Sequence, residues 1–201
     1  MDFAEVVKFH GHVCPGLALG FRVAELAVAK LELSRSDDEE FVAIVENNSC
    51  AVDAIQMMTG CTFGKGNLIF RDYGKQVYTF IKRRGGDSLR IAVCWQPPAE
   101  DDKTADNWQR YLAGDRSPEV MEMVKKSKIR KAEAILTASF DELFSVGQGF
   151  APLPPKAQIY PTVICGDCGE KVMAPKASKV ADGKFRCIPC GERKFKPANG
   201  K

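Results

Sequence analysis

The 201-residue sequence predicts an α+β core, an antiparallel sheet with helices, followed by a small cysteine-rich ribbon. Three observations carry this reading. Short apolar and β-branched runs, separated by glycine turns, alternate with longer segments of helical spacing. The charge divides unevenly, with ten Lys or Arg against four Asp or Glu in residues 151–201, and nineteen against twenty-two in residues 1–150. Cys165, Cys168, Cys187 and Cys190 form CxxC–x18–CxxC inside the basic part, where seven of the eleven prolines also lie. A core domain at 1–155 and a zinc ribbon at 156–201 follow from these patterns.

The elements are justified in chain order. Pro15 opens a helix whose apolar residues recur at Leu19, Val23, Leu26, Ala27 and Leu31. Proline suits a first helical position because its missing N–H would have had no partner there. FVAIVEN at 41–47 reads as a buried strand. The helix CAVDAIQMMT follows, capped by Asn48 or Ser49 and stopped at Gly60. Beyond the glycine-rich CTFGKGN, the runs 68–72, 76–83 and 89–95 read as strands. The glycine turns between them favour an antiparallel meander. Region 97–128 is polar, with helical stretches around 108–112 and 118–128. Segment 129–146 mixes its signals and reads as a helix, an extended stretch and a turn at 141–144. APLPPKAQIYP at 151–161 is a stiff connector.

Composition excludes several classes. Hydrophobic residues at 45% and charged residues at 27% are those of a folded globular chain and not of a disordered one. No apolar run approaches the 18 or so residues of a membrane span. Asp2, Glu5 and Lys8 stand where a secretory apolar region would be, so a cytoplasmic location is expected.

Eight cysteines in a reducing compartment point to metal or catalytic chemistry before disulfides. In the tail, each CxxC turns two sulfurs to one side, and two such knuckles complete a tetrahedron. The residues between them supply a two-stranded ribbon turning at 181–183. Two matching pairs argue against a thioredoxin-like redox motif, and Gly169 and Gly191 exclude the histidine of a c-type haem site. Iron in an S4 site remains an alternative to zinc. Phe185 and Phe195 flank the knuckles without a dense alternation of aromatic and basic residues, so nucleic acid is disfavoured.

At the front, His10, His12 and Cys14 crowd five residues ahead of a helix. Cys14 and Cys50 each stand at a helix start, where free amides and the helix dipole favour thiolate. Asp53 lies one turn beyond Cys50, placed to orient a ligand or move a proton. Cys61 opens the glycine loop and stands as a neighbouring candidate, although a buried hydrophobe is its plainer reading. Cys94, inside an apolar run, reads as core. Lys65 sits in a loop that fails the phosphate-loop pattern, since three residues separate its glycines and Gly66 follows the lysine. The loop still offers amides and one ammonium to an anion.

FHGHVCPGLALGFR, NNSCAVDAIQMMTGCTFGKGN and FRDYGK, in that order, resemble the FmdE family, named for a component of molybdenum formylmethanofuran dehydrogenase. The likeness covers roughly residues 1–150, and the tail is similar to a zinc-ribbon extension in that family. The resemblance implies a homodimeric α+β core with a metal-capable pocket around His12, Cys14 and Cys50, with His10, Asp53, Cys61 and Lys65 as neighbours. The expected cofactors are a structural zinc in the tail and a second metal in the core. In a catalytic reading, Asp53 relays protons, Lys65 neutralises an anion, and Cys14 is ligand or nucleophile. The alternatives are an accessory or docking protein of a molybdenum or tungsten oxidoreductase and, third, a nucleic-acid-binding ribbon. The stiff connector makes exchange of ribbons between subunits plausible.

Overall fold

The computed structural model describes residues 1–149 and 152–192, and the chain divides into two units, Met1–Lys156 and Ala157–Lys201. Phe195 lies outside the described residues. Helix α1 (Phe3–His10) begins with a capping box, in which Asp2 accepts the Glu5 amide at 2.9 Å and Glu5 accepts the Asp2 amide at 2.8 Å. Gly11 ends it with φ of 99°, a left-handed conformation that costs glycine nothing, and turns the chain toward His12.

Helix α2 (Pro15–Leu31) has Pro15 in its first turn and buries residues on nearly every side, from Leu17 to Ala27. It is the central element, packed on α3 (Ala51–Thr59), on α5 (Pro118–Thr137) and on the sheet. The sheet comprises β1 (Phe41–Val45), β2 (Leu68–Phe70), β3 (Val77–Lys82), β4 (Ser88–Val93) and β5 (Phe144–Gly147). Its order is β2-β1-β3-β4-β5. Strand β1 is buried on both faces. Phe41, Ala43 and Val45 join the helices in the main core, while Val42 and Ile44 cluster with Ile81 on the opposite face.

Two expectations are corrected here. The run 68–72 does not hairpin onto 76–83; β2 instead lies parallel to β1, with Ala43 opposite Leu68. The chain between them contains α3, and a helical crossover returns a strand parallel to its predecessor. Strands β3 and β4 do pair antiparallel, as do β1 with β3 and β4 with β5. The second correction is α5, which runs unbroken from Pro118 to Thr137 and so joins into one helix the helical stretch read at 118–128 and the helix read from 129 on. Its buried positions Val120, Val124, Ser127 and Ile135 keep helical spacing beneath a charged exterior. Helix α4 (Asp102–Leu112) packs against it, and α6 (Phe140–Leu143) is one turn with its own Ser139–Glu142 capping box. Arg83, just past β3, donates to the Pro154 and Pro155 carbonyls and to Glu39, fixing the start of the connector.

The second unit is two short antiparallel pairs. β6 (Thr162–Ile164) pairs with β7 (Lys171–Met173), and β8 (Ala177–Lys179) with β9 (Phe185–Cys187). The β8–β9 turn closes through Gly183, whose amide donates to the Val180 carbonyl. One knuckle lies in the β6–β7 turn and the other runs from Cys187, the last residue of β9, into α7 (Ile188–Gly191). Cys165, Cys168, Cys187 and Cys190 offer sulfurs all within 4.8 Å of one another, an arrangement that fits a zinc ribbon.

Candidate metal centre

The left-handed turn at Gly11 brings the two imidazoles together, with ring centroids 4.5 Å apart. Cys14 caps α2, its sulfur accepting the Leu17 amide at 3.4 Å. Helix α3 delivers Cys50 to the same place because α2 carries no side chain at Gly16 or Gly20. A Cβ on Gly16 would stand 3.3 Å from that of Cys50, and one on Gly20 would meet the Ala51 carbonyl oxygen at 2.2 Å. The outcome is a cluster of His10, His12, Cys14 and Cys50 whose donor atoms all lie within 4.8 Å of one another.

His10 shows why the cluster could hold a metal ion. Its Nδ1 is 2.7 Å from Asp53 Oδ2, while its Nε2 is buried and has no hydrogen-bond partner. A buried polar atom without a partner is costly. With Nδ1 engaged by the carboxylate, Nε2 is the nitrogen left for a metal, the carboxylate–histidine pattern of many metal sites. Asp53 therefore fixes the orientation of the His10 ring. Burial pushes the Cys50 thiol above its ordinary pKa, and the adjacent Cys14 sulfur adds to the effect. The thiolate-favouring influence expected at this helix start does not prevail at Cys50. In the tail, the amides of Cys187 and Cys168 hold Cys165 down to about 6.

Cys61 and Lys65 are not brought to this cluster. Both follow Gly60 at the far end of α3, whose nine residues span about 13 Å. Cys61 is fully buried in the main core, with its thiol toward the Phe41 carbonyl at 3.6 Å. Lys65 Nζ donates to the Ser36 and Asp37 carbonyls at 2.8 and 3.3 Å, pinning the loop instead of waiting for an anion. Cys94 is exposed, because it follows the last residue of β4 and its side chain takes the outer face while Val93 and Trp95 on either side pack against the core. Two features escaped the sequence reading. Asp2 and Glu5 at capping-box spacing signalled α1, and a glycine inside a helical pattern at Gly20 signalled close helix contact.

Burial raises the Cys61 pKa from 9.0 to about 12. The unfolded thiol ionises first, so this group withdraws stability as pH rises from about 9 toward 12, by up to about 1.4 kcal/mol per unit. Urea midpoints should fall across that window and fall less in Cys61→Ala. At pH 8, iodoacetamide should modify Cys94 in the folded protein and reach Cys61 only on unfolding, as peptide mass mapping would show.

Among the described residues, no helix is long and apolar enough to cross a membrane. A family model described as FmdE, molybdenum formylmethanofuran dehydrogenase operon, matches residues 9–145. A probable S-adenosyl-L-methionine-binding protein of Archaeoglobus fulgidus is 32% identical over 205 residues, an alignment covering 91% of this chain and 50% of that protein. This chain thus spans about half the length of that curated relative. A tungsten formylmethanofuran dehydrogenase FmdE-like protein from Syntrophus aciditrophicus superposes with a TM-score of 0.57 at 22% identity, covering 98% of this chain and 95% of its own. That likeness is one of fold. The matched segment contains all four donors of the front cluster, and on the strength of that match the chain belongs to the FmdE family.

Proposed function

We propose that this chain is a metalloprotein with two unlike centres: a structural zinc in the ribbon, and a His2Cys2 centre in the core that binds a divalent metal and receives a small ligand. The observation that carries the core centre is the orphaned, buried Nε2 of His10 beside three further donors. Two imidazoles and two thiolates suit zinc in donor softness and number. A tetrahedron with bonds of about 2.0–2.3 Å sets donors about 3.3–3.8 Å apart, so the cluster needs only a small contraction.

When bound, the metal supplies Lewis acidity. The chain supplies the rest. Asp53 holds the His10 proton on Nδ1 and, with its side chain 40% exposed, also reaches solvent for proton exchange. Leu17 steadies the Cys14 sulfur. His12 is the exposed donor, hence the one on the side from which a ligand approaches.

Metal content per chain, by mass spectrometry of the full-length protein, tests this reading. About two ions per chain are expected, falling to about one in Cys14→Ala and in Cys50→Ala, with the tail ion retained. A folded protein holding only the tail ion would sink it.

A second reading rests on the number of donors. Four can saturate a tetrahedral metal, which favours an accessory protein that carries metal or docks to a molybdenum or tungsten oxidoreductase. It predicts a readily chelated core metal and no turnover in isolation. The S-adenosyl-L-methionine of the Archaeoglobus relative forms no part of either reading, because the match covers only half of that protein.

A further inference from the structure

Beside the front cluster lies a cavity of about 650 Å3, walled by the α1–α2 segment on one side and α5 with the end of α4 on the other. His12 lines it. One imidazole is therefore both a metal donor and part of the cavity wall. The remaining wall is mainly apolar, with Val7, Val13, Tyr111, Met121 and Ile129 prominent, and the volume suits a small organic molecule.

The charges on the wall come from α5: Glu122, Lys125 and Lys128. Glu122 is answered on its own helix, 3.4 Å from Lys126 Nζ. Lys125 has no ion-pair partner among the described residues, and Lys128 Nζ lies over the Tyr111 ring at 5.2 Å without a carboxylate. An apolar chamber with two ammonium groups uncompensated on one wall and a metal-donor imidazole on another selects against cations and against strongly hydrated ligands. We propose that this cavity is the ligand chamber of the core centre, and that it takes an anion with an apolar body, a carboxylate borne on an aromatic or aliphatic chain. The proposal rests on the metal reading given above. Met121, 44% exposed, gives an adaptable apolar surface suited to such a body.

The test is calorimetric titration of 4-phenylbutyrate into the full-length, metal-loaded protein, with metal content measured on the same samples. Saturable one-to-one binding is expected, with 4-phenylbutylamine giving none. Lys125→Glu together with Lys128→Glu should weaken binding about tenfold or more in a protein that still melts cooperatively, since Lys125 is exposed and reversal at Lys128 removes only its contacts with the Trp108 and Tyr111 rings. Cys50→Ala, lacking the core metal, should also bind more weakly. A loaded core with no phenylbutyrate binding, or binding indifferent to the lysine reversals or to the metal, overturns the chamber and leaves the metal reading standing. A core free of metal in the wild-type protein overturns both.

Discussion

Gly20→Ala is expected to destabilise the core unit by about 3 kcal/mol, near the top of the usual overpacking range, and to cost the core centre its metal. The added methyl has nowhere to go. It would stand 2.2 Å from the Ala51 carbonyl oxygen, 2.5 Å from its Cα and 2.7 Å from its carbonyl carbon, all backbone atoms of a buried helix start. Alanine gains about 1 kcal/mol of helix propensity over glycine, which the clash exceeds. Relief requires α2 and α3 to separate, and Cys50 immediately precedes Ala51. Cys50 would then draw away from Cys14, so the same substitution reads out twice. Thermal melts should fall by roughly 6–12 °C for a unit of this size, and metal content should drop by about one ion per chain. An unchanged melt with metal retained would contradict the packing described between these helices.

Removing the ribbon's metal should have a still larger local effect. Cys165 and Cys187 are the sole buried side chains among the described residues of the second unit, and both are donors. A unit with so little apolar burial would depend on a bound metal, and a structural zinc would contribute about 10–16 kcal/mol at neutral pH. Cys187→Ser, or a strong chelator, should therefore unfold residues 157–192 while the core unit persists. Limited proteolysis followed by mass spectrometry should show cleavage throughout the tail and a protected fragment ending near Lys156. Protection of the tail in chelator would refute a metal-dependent fold there.

These two sites show what the sequence discloses and what it withholds. The tail centre was fully legible, because CxxC spacing fixes two sulfurs per knuckle whatever surrounds them. The beginning of α2 was legible in Cys14 and Pro15, and the end of α3 in Gly60. His10 was harder, since only the fold reveals that Asp53, 43 residues away, takes one ring nitrogen and leaves the other bare. Cys61 and Lys65 stood near Cys50 in sequence but at the wrong end of a nine-residue helix, a separation that proximity along the chain conceals. Strand β2 misled for a related reason. Tyr73-Gly74 looks like a hairpin, yet Arg71 and Lys75 donate to the Val45 and Glu46 carbonyls and carry the chain along β1. The helix at 118–128 was legible, but its unbroken continuation to Thr137 was obscured by its charged face, although its buried spacing was intact.

The core donors and Asp53 all fall between residues 10 and 53, before β2 to β5 in chain order. The contacts that build the centre span up to 43 residues, yet every donor lies within the first 53 residues of the chain. During synthesis, which proceeds from the N-terminus, α1, α2 and α3 emerge ahead of every strand except β1. A metal captured at that stage would clamp the three helices into a nucleus on which the later strands assemble. The order of loading then has a direction: the core centre can fill while the ribbon's cysteines are still unmade.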